Sequence, residues 1–507
     1  MIDWKGFEAA EFRAAKERGL PILLFVTPEG THRRSDAVPE ALSGSEGRLV
    51  AMRVDKADRP DIHARYAESG EVLLLDHDAQ VLESAALAAL PAKLAGWLAS
   101  FSPKSPARAA EPHAHAWTGA VGGPARPAVV PERPREVVRA LLGAQALPLP
   151  GVELLLHAAA EWGDAASRAR AEAELAGWSK RLENSELDLY ERAWTLRLLW
   201  DAHAAFGGEP LRRAAAKASA ALVEELFDAK AGAFRHAPGA GAPIYADENA
   251  LAALALQRAS VFEPSARFGQ TAEQVLAFLQ GSAYDPMLGM IHRRRDDGAL
   301  VYGLLGDAAW TILAFTEAFA LTGHKPHREF ADNLARFLFQ ELWDRDGGGF
   351  LDRVPQQSDA GLLRRPRLAR PEENAAALEG LWRLHHLKGN TNYRRWLEWA
   401  LARLSASQDP AAAGIARVQD LLQRGRLDLE LIGRPGGEGV DALIAAAHRH
   451  YAPRRILSFV DPDDQDYILA HRLDTPGQPR LFGCVDLKPV ASAALPAEVA
   501  AVMKALS

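Results

Sequence analysis

The chain has one cysteine, Cys484, in 507 residues. A lone thiol excludes an internal disulfide, a Cys-x-x-Cys redox centre and any cysteine-rich zinc site. A dominant charge of one sign is also missing: 59 Lys and Arg stand against 66 Asp and Glu, a net charge of -7. That balance argues against a general nucleic-acid or anionic-membrane binder. No uncharged run approaches the roughly 18 residues that a membrane span needs. The start, Met1-Ile2-Asp3-Trp4-Lys5, lacks the basic-then-apolar order of a signal peptide. A cytoplasmic protein with neither membrane nor nucleic-acid partner is expected. Glycine-rich phosphate loops and the Gly-x-Ser-x-Gly elbow are absent too. His113 and His115 have metal-like spacing but no third ligand nearby, so neither a metal nor a cofactor is expected.

What is present is a globular composition, 48% hydrophobic and 25% charged, long enough for roughly three domains at about 150 residues each. Residues 1–101 alternate helical and strand patterns. Ala10–Arg18 reads as an amphipathic helix stopped by Gly19, and Pro21–Val26, Leu49–Val54 and Val72–Leu75 read as short buried strands of a small α/β layer. Residues 102–134 shift to Pro, Ala, Gly and His, a linker.

Residues 135–410 are helical and repetitive. Phe227-Asp228, Tyr284-Asp285 and Trp343-Asp344, spaced 57 and 59 residues apart, each open a Gly-containing turn followed by a helix rich in small residues with an acid near its start. An earlier copy begins at Asp188-Leu189-Tyr190-Glu191-Arg192. Helices apolar all round, such as 308–321, alternate with one-faced helices such as 211–226, the pattern of inner and outer layers. The reading is an (α/α)6 toroid. Residues 411–507 carry strand patterns at Leu427–Ile432, Arg455–Val460 and Arg480–Val485 with helices between and after them, a C-terminal α/β segment packing on the toroid.

This order, together with Arg53-Val54-Asp55-Lys56-Ala57-Asp58-Arg59-Pro60-Asp61-Ile62, Leu342–Phe350, Leu363-Arg364-Arg365-Pro366 and Pro371-Glu372-Glu373-Asn374-Ala375, resembles the thioredoxin-domain-containing proteins related to the spermatogenesis-associated thioredoxin-like protein. The resemblance implies a multidomain, mainly α fold: an N-terminal thioredoxin-like domain, a central six-hairpin-glycosidase-like toroid and a small α/β tail. Where that family carries Cys-His-Trp-Cys, this chain has Thr31-His32-Arg33-Arg34. Thr31 and Arg34 supply neither an attacking thiolate nor a resolving sulfur, so a redox-dead domain is expected. The family's Tyr-Asp-Asn-Ala becomes Tyr190-Glu191-Arg192-Ala193, and Cys484 reads as a buried inert thiol.

In a toroid, equivalent ends of the inner helices line one mouth. Asp247, Asp307, Glu372 and Glu373 would share that rim, where paired carboxylates suit acid–base work on a glycoside. The plain alternative is that each acid caps its own helix. Tyr190, Trp194, Tyr245 and Trp310 suit stacking on a sugar, or packing in the core. His292 and Arg293, in a basic stretch after Gly289, offer a proton carrier and an anion-binding group, or a solvated loop. The catalytic candidates are thus Asp247, Asp307, Glu373 and His292, with the aromatics, Glu372 and Arg293 binding a carbohydrate-like small molecule. An enzyme on this plan would be a sugar hydrolase or epimerase, not a thiol-disulfide oxidoreductase. The alternative is a non-catalytic scaffold that meets a protein partner through its thioredoxin-like domain.

Overall fold

A computed structural model describes residues 4–506 apart from 28–41, 43, 44, 46, 102–131, 185, 186, 240, 295–299, 357, 358, 360, 365, 406–411, 438 and 474–476. The redox positions Thr31 and Arg34, and His113 and His115, lie outside the described residues. The chain divides into two compact units, Met1–Ala120 with Asp352–Arg367, and Val121–Leu351 with Leu368–Ser507.

The first unit runs α1 (Ala9–Arg18), β1 (Ile22–Val26), β2 (Val50–Val54), α2 (Pro60–Tyr66), β3 (Val72–Leu75), β4 (Val81–Ala85) and α3 (Leu90–Ser100). The sheet order is β2-β1-β3-β4, with β1 parallel to β2 and antiparallel to β3, and β4 antiparallel to β3. These are the order and directions of a thioredoxin-like sheet. Strand β1 is apolar at every position because it is central and covered on both faces. Ile22 and Leu24 pack with Met52, Ile62 and Tyr66; Leu23 and Phe25 pack on the other face with Leu74, Leu90 and Trp97. The segment Arg59-Pro60-Asp61 starts α2 and is a buried ion-pair node. Asp61 accepts from Arg59 at 3.0 Å and meets Arg353 at 3.2 Å, while Arg65 pairs with Asp352. The Asp61 carboxyl falls to about 2 because these arginines outweigh the upward push of burial.

The second unit is a closed ring of helical hairpins followed by a sheet. Its inner helices are α5 (Leu149–Trp162), α7 (Leu189–Phe206), α9 (Ala246–Phe262), α11 (Leu305–Thr322), α13 (Pro371–Lys388) and α15 (Ala413–Arg424). Each packs on the next, and α15 returns to α5. The outer partners are α4 (Arg133–Gly143), α6 (Ala165–Glu183), α8 (Glu209–Leu226), α10 (Phe268–Gly281), α12 (Lys325–Phe337) and α14 (Thr391–Leu404). The toroid therefore does not end at 410 as the sequence suggested: α15 is its sixth inner helix, and α4 is the outer helix beside it. Small residues let the inner helices approach. A Cβ on Gly380 of α13 would stand 2.6 Å from Ile312 of α11.

The repeated aromatic-Asp turns have a common cause. Asp228 and Asp285 each accept backbone N–H bonds two and three residues on, and Asp344 accepts one two residues on. In two copies an asparagine in the next inner helix clamps the turn: Asn249 accepts from Phe234 N at 2.7 Å, and Asn374 accepts from Phe350 N at 2.9 Å.

Short strands lie in the ring's connections, β5 (Phe227–Asp228), β6 (Ala233–Phe234), β7 (Tyr284–Asp285), β8 (Gly289–Arg294) and β9 (Leu300–Tyr302). After the ring come β10 (Leu427–Ile432), α16 (Val440–His448), β11 (Arg455–Val460), α17 (Gln465–Ala470), β12 (Arg480–Val485), β13 (Lys488–Ala493) and α18 (Val499–Leu506). The order β11-β10-β12-β13, with β10 parallel to β11 and the other pairs antiparallel, repeats that of the first unit. The chain thus carries the thioredoxin-type strand plan twice. Cys484 lies buried on β12, and burial first, then Glu430 and Asp428, pushes its thiol up to about 12. No helix among the described residues is long and apolar enough to cross a membrane.

Candidate functional site at the toroid mouth

The first turns of α7, α9, α11 and α13 bring most of the candidate residues together. Four acids occupy the same place, the third residue of each helix: Glu191, Glu248, Asp307 and Glu373. Three meet a nitrogen base from the chain just before them. Glu248 Oε1 lies 2.7 Å from His236 Nδ1, Asp307 Oδ1 lies 2.8 Å from His292 Nδ1, and Glu373 Oε1 accepts from Arg370 at 2.6 Å. Asp247 stands one residue earlier and escapes this pattern. Its backbone N–H donates to Asp307 Oδ1 at 3.1 Å, and its Oδ1 lies 3.6 Å from His292 Nδ1.

Burial separates these acids. Asp307 is 1% exposed and Asp247 17% by side chain. Burial raises the Asp247 carboxyl to about 6; His292 and Arg370 oppose the shift and Asp307 adds to it. Glu248 rises to about 7, burial again outweighing its histidine. Arg370 stays well above its ordinary range despite burial because Glu373 and Glu372 flank it. It lies 3.3 Å from Glu372.

The aromatics form the floor. Trp194 and Trp310 are each 3% exposed and meet edge to face at 5.0 Å, with Tyr190 at 5.8 and 6.3 Å. Trp310 Nε1 donates to the Tyr190 hydroxyl, and Trp194 Nε1 to Glu153. Neither tryptophan offers an open face, and Tyr190 is the partly exposed ring of the three. Tyr245 is buried between two imidazoles, stacked on His292 at 4.9 Å and 17° and edge-on to His236 at 5.3 Å. His292 and Arg293 belong to strand β8 (Gly289–Arg294), not to a loop, and His292 is 2% exposed. Sequence reasoning missed His236, Glu248 and Arg370. Their signal was available: an acid at one fixed helical position, with a base in the preceding connection.

Arg192, where the resemblance places an asparagine, turns to Glu225 and the Leu187 carbonyl. At the opposite end of the ring, Asp201, Arg258, Glu317 and Arg383 each stand twelve residues beyond the first residue of α7, α9, α11 and α13. They alternate in sign and pair, Arg258 with Asp201 at 2.8 Å and Arg383 with Glu317 at 2.9 Å. Glu379 joins Arg383 and Arg417. His450, Tyr451 and Arg455 from the C-terminal segment complete the wall of this cavity of about 70 Å³.

No protein-family profile matches the chain. Among curated proteins it is similar to spermatogenesis-associated protein 20 of Rattus norvegicus, 23% identical over 176 residues, 33% of this chain and 22% of that protein. It thus spans about a fifth of that relative's length. Among solved structures it is similar to an unsaturated glucuronyl hydrolase specific for heparin, with 14% identity, 57% of this chain, 95% of that one and a TM-score of 0.48. It is also similar to the GH76A alpha-1,6-mannanase from Salegentibacter sp. HEL1_6, with 11% identity, 58% of this chain, 99% of that one and a TM-score of 0.47. The toroid itself is read from its own ring of helix contacts. With its thioredoxin-like sheet and its helical ring, the chain is weakly homologous to spermatogenesis-associated protein 20.

Proposed function

We propose that the toroid mouth binds a carbohydrate-like small molecule and that Asp247 exchanges a proton with it, in a sugar hydrolase or epimerase. The observation that carries this reading is Asp247 itself. It is the partly exposed acid beside a buried Asp–His pair, its carboxyl raised to about 6, within the range where a side chain both gives and takes a proton near neutrality. Asp307 then serves as a positioning residue, fixing the His292 ring and the start of α9. Glu372, Arg370 and Tyr190 supply paired acceptors and donors for vicinal hydroxyls over an aromatic floor. Thiol–disulfide exchange forms no part of the proposal, because positions 31 and 34 carry no sulfur. A cytoplasmic setting belongs to it, since one thiol needs no oxidising compartment.

A thermal-shift screen with sugars and sugar nucleotides, in the presence of a chelator, tests the reading. A reproducible stabilisation that Asp247→Asn removes is the expected result. Stabilisation unchanged in that variant would take Asp247 out of the site. One observation favours a non-catalytic scaffold instead: Glu373, Asp307 and Arg192 are each committed to fixed partners. That reading expects no sugar hits and a protein that co-purifies.

A further inference from the structure

We propose that Asp247, His292 and Asp307 form a site for one divalent cation of the Zn2+ or Mn2+ class. One donor atom from each residue lies within 4.8 Å of the other two. The donors come from three different elements, α9, β8 and α11, so no local sequence motif announces them. His292 Nδ1 is 2.8 Å from Asp307 Oδ1 and 3.6 Å from Asp247 Oδ1. Bonds of about 2.0–2.2 Å to nitrogen and oxygen place neighbouring donors of a tetrahedral or octahedral shell about 2.8–3.6 Å apart. Two of the three separations already satisfy that shell. Asp247, the partly exposed member, closes the third by turning its carboxyl.

An independent observation points the same way. Asp307 is 1% exposed, and its Oδ2 has no hydrogen-bond partner among the described residues. A buried carboxylate oxygen left without a donor calls for an explanation, and a cation supplies one. Charge balances as well: two carboxylates with a neutral imidazole neutralise a divalent ion in a buried place. One imidazole with two carboxylates suits Zn2+ or Mn2+ better than Ca2+, which takes an all-oxygen shell, or metals that prefer thiolates. The surroundings hold the ligands in place. Tyr245 stacks on the His292 ring, and the Asp247 N–H orients Asp307. Coordination through Nδ1 puts the imidazole hydrogen on Nε2.

Cation binding at these residues stands apart from the carbohydrate reading, because the cation is its own probe. It also constrains that reading: a bound cation holds Asp247 ionised, so occupancy and proton exchange by Asp247 exclude one another. The test is calorimetric titration of the chelator-stripped full chain with ZnCl2 and with MnCl2, MgCl2 serving as the control. One saturable site per chain is expected for Zn2+ or Mn2+, weakened at least tenfold in Asp247→Asn and in Asp307→Asn, with Mg2+ far weaker. Circular dichroism of each variant in chelator reports folding, and if Asp307→Asn does not fold, Asp247→Asn decides alone. Absence of a one-to-one site in the wild type, or binding undiminished by Asp247→Asn, overturns the proposal. A thermal rise with cation in the wild type that Asp247→Asn abolishes supports it.

Discussion

At the far end of the ring, burial alone would raise Glu317 and Glu379. Instead Arg383, Arg417 and their neighbours hold Glu317 well below the glutamate range and Glu379 at about 2. At the mouth, α9 of the same ring carries Asp247 and Glu248 raised to about 6 and about 7. The residue types are alike and the surroundings opposite. Guanidinium groups outweigh burial at one end, and at the other burial outweighs the neighbouring imidazoles. Charges that are mutually satisfied hold a structure together, whereas an acid kept short of compensation is poised for a ligand or a proton. Asp201 marks the limit of the contrast, since burial raises it even beside Arg258.

Breaking the far end should have the largest effect. Glu379→Ala takes one of two carboxylate partners from each of Arg417 and Arg383, leaving Glu153 and Glu317, and should cost about 3 kcal/mol in urea unfolding at pH 7, the low end for removal of one partner from a buried pair. A loss below about 1 kcal/mol would make that network ornamental to the ring. The mouth should respond with the opposite sign. Native Asp247 binds its proton up to about pH 6 and the unfolded chain releases its own near pH 4, so ionising it costs stability as the pH rises through that window. Asp247→Asn should therefore stabilise the chelated protein by up to about 3 kcal/mol at pH 8 and hardly at all at pH 4. Unfolding curves at the two pH values check this.

Glu317 and Glu379 at the far end give the converse dependence. Their folded-state carboxyls are depressed, so their contribution is present above about pH 4.5 and lost as the pH falls toward 2. Glu379→Gln should flatten part of that acid limb, which a pH series of melting temperatures would show. The smallest effect belongs to the C-terminal sheet. Cys484→Ala should cost no more than about 1.5 kcal/mol, and the native thiol should resist a disulfide reagent at pH 8 until the protein unfolds, because burial keeps it protonated.

Much of this contrast was written in the sequence without being readable there. The turns at Asp228, Asp285 and Asp344 and the all-round apolar helices disclosed a ring, because local hydrogen bonding and burial follow directly from residue type. The sixth inner helix was missed: Pro410 interrupts the helical pattern, and only closure against α5 assigns Ala413–Arg424 to the ring. Strands β4 and β13 were missed because Glu83 and Ser84 break the first pattern and exposed alternate residues dilute the second. Asp247, Asp307 and Glu373 do lie at helix starts, yet their unequal surroundings depend on which base the preceding connection delivers. Asp201, Arg258, Glu317 and Arg383 stand at the repeat spacing, 57, 59 and 66 residues apart, a signal hidden because it alternates in sign.

The most direct test of the division between a working mouth and a structural far end is the affinity of the best-stabilising saccharide, measured by calorimetry in chelator. It should be compared in the wild type, in Asp247→Asn and in the far-end variant Tyr451→Phe. Loss of at least tenfold in Asp247→Asn with affinity unchanged in Tyr451→Phe is the predicted result. Affinity retained in Asp247→Asn and lost in Tyr451→Phe would place the site at the other end of the toroid.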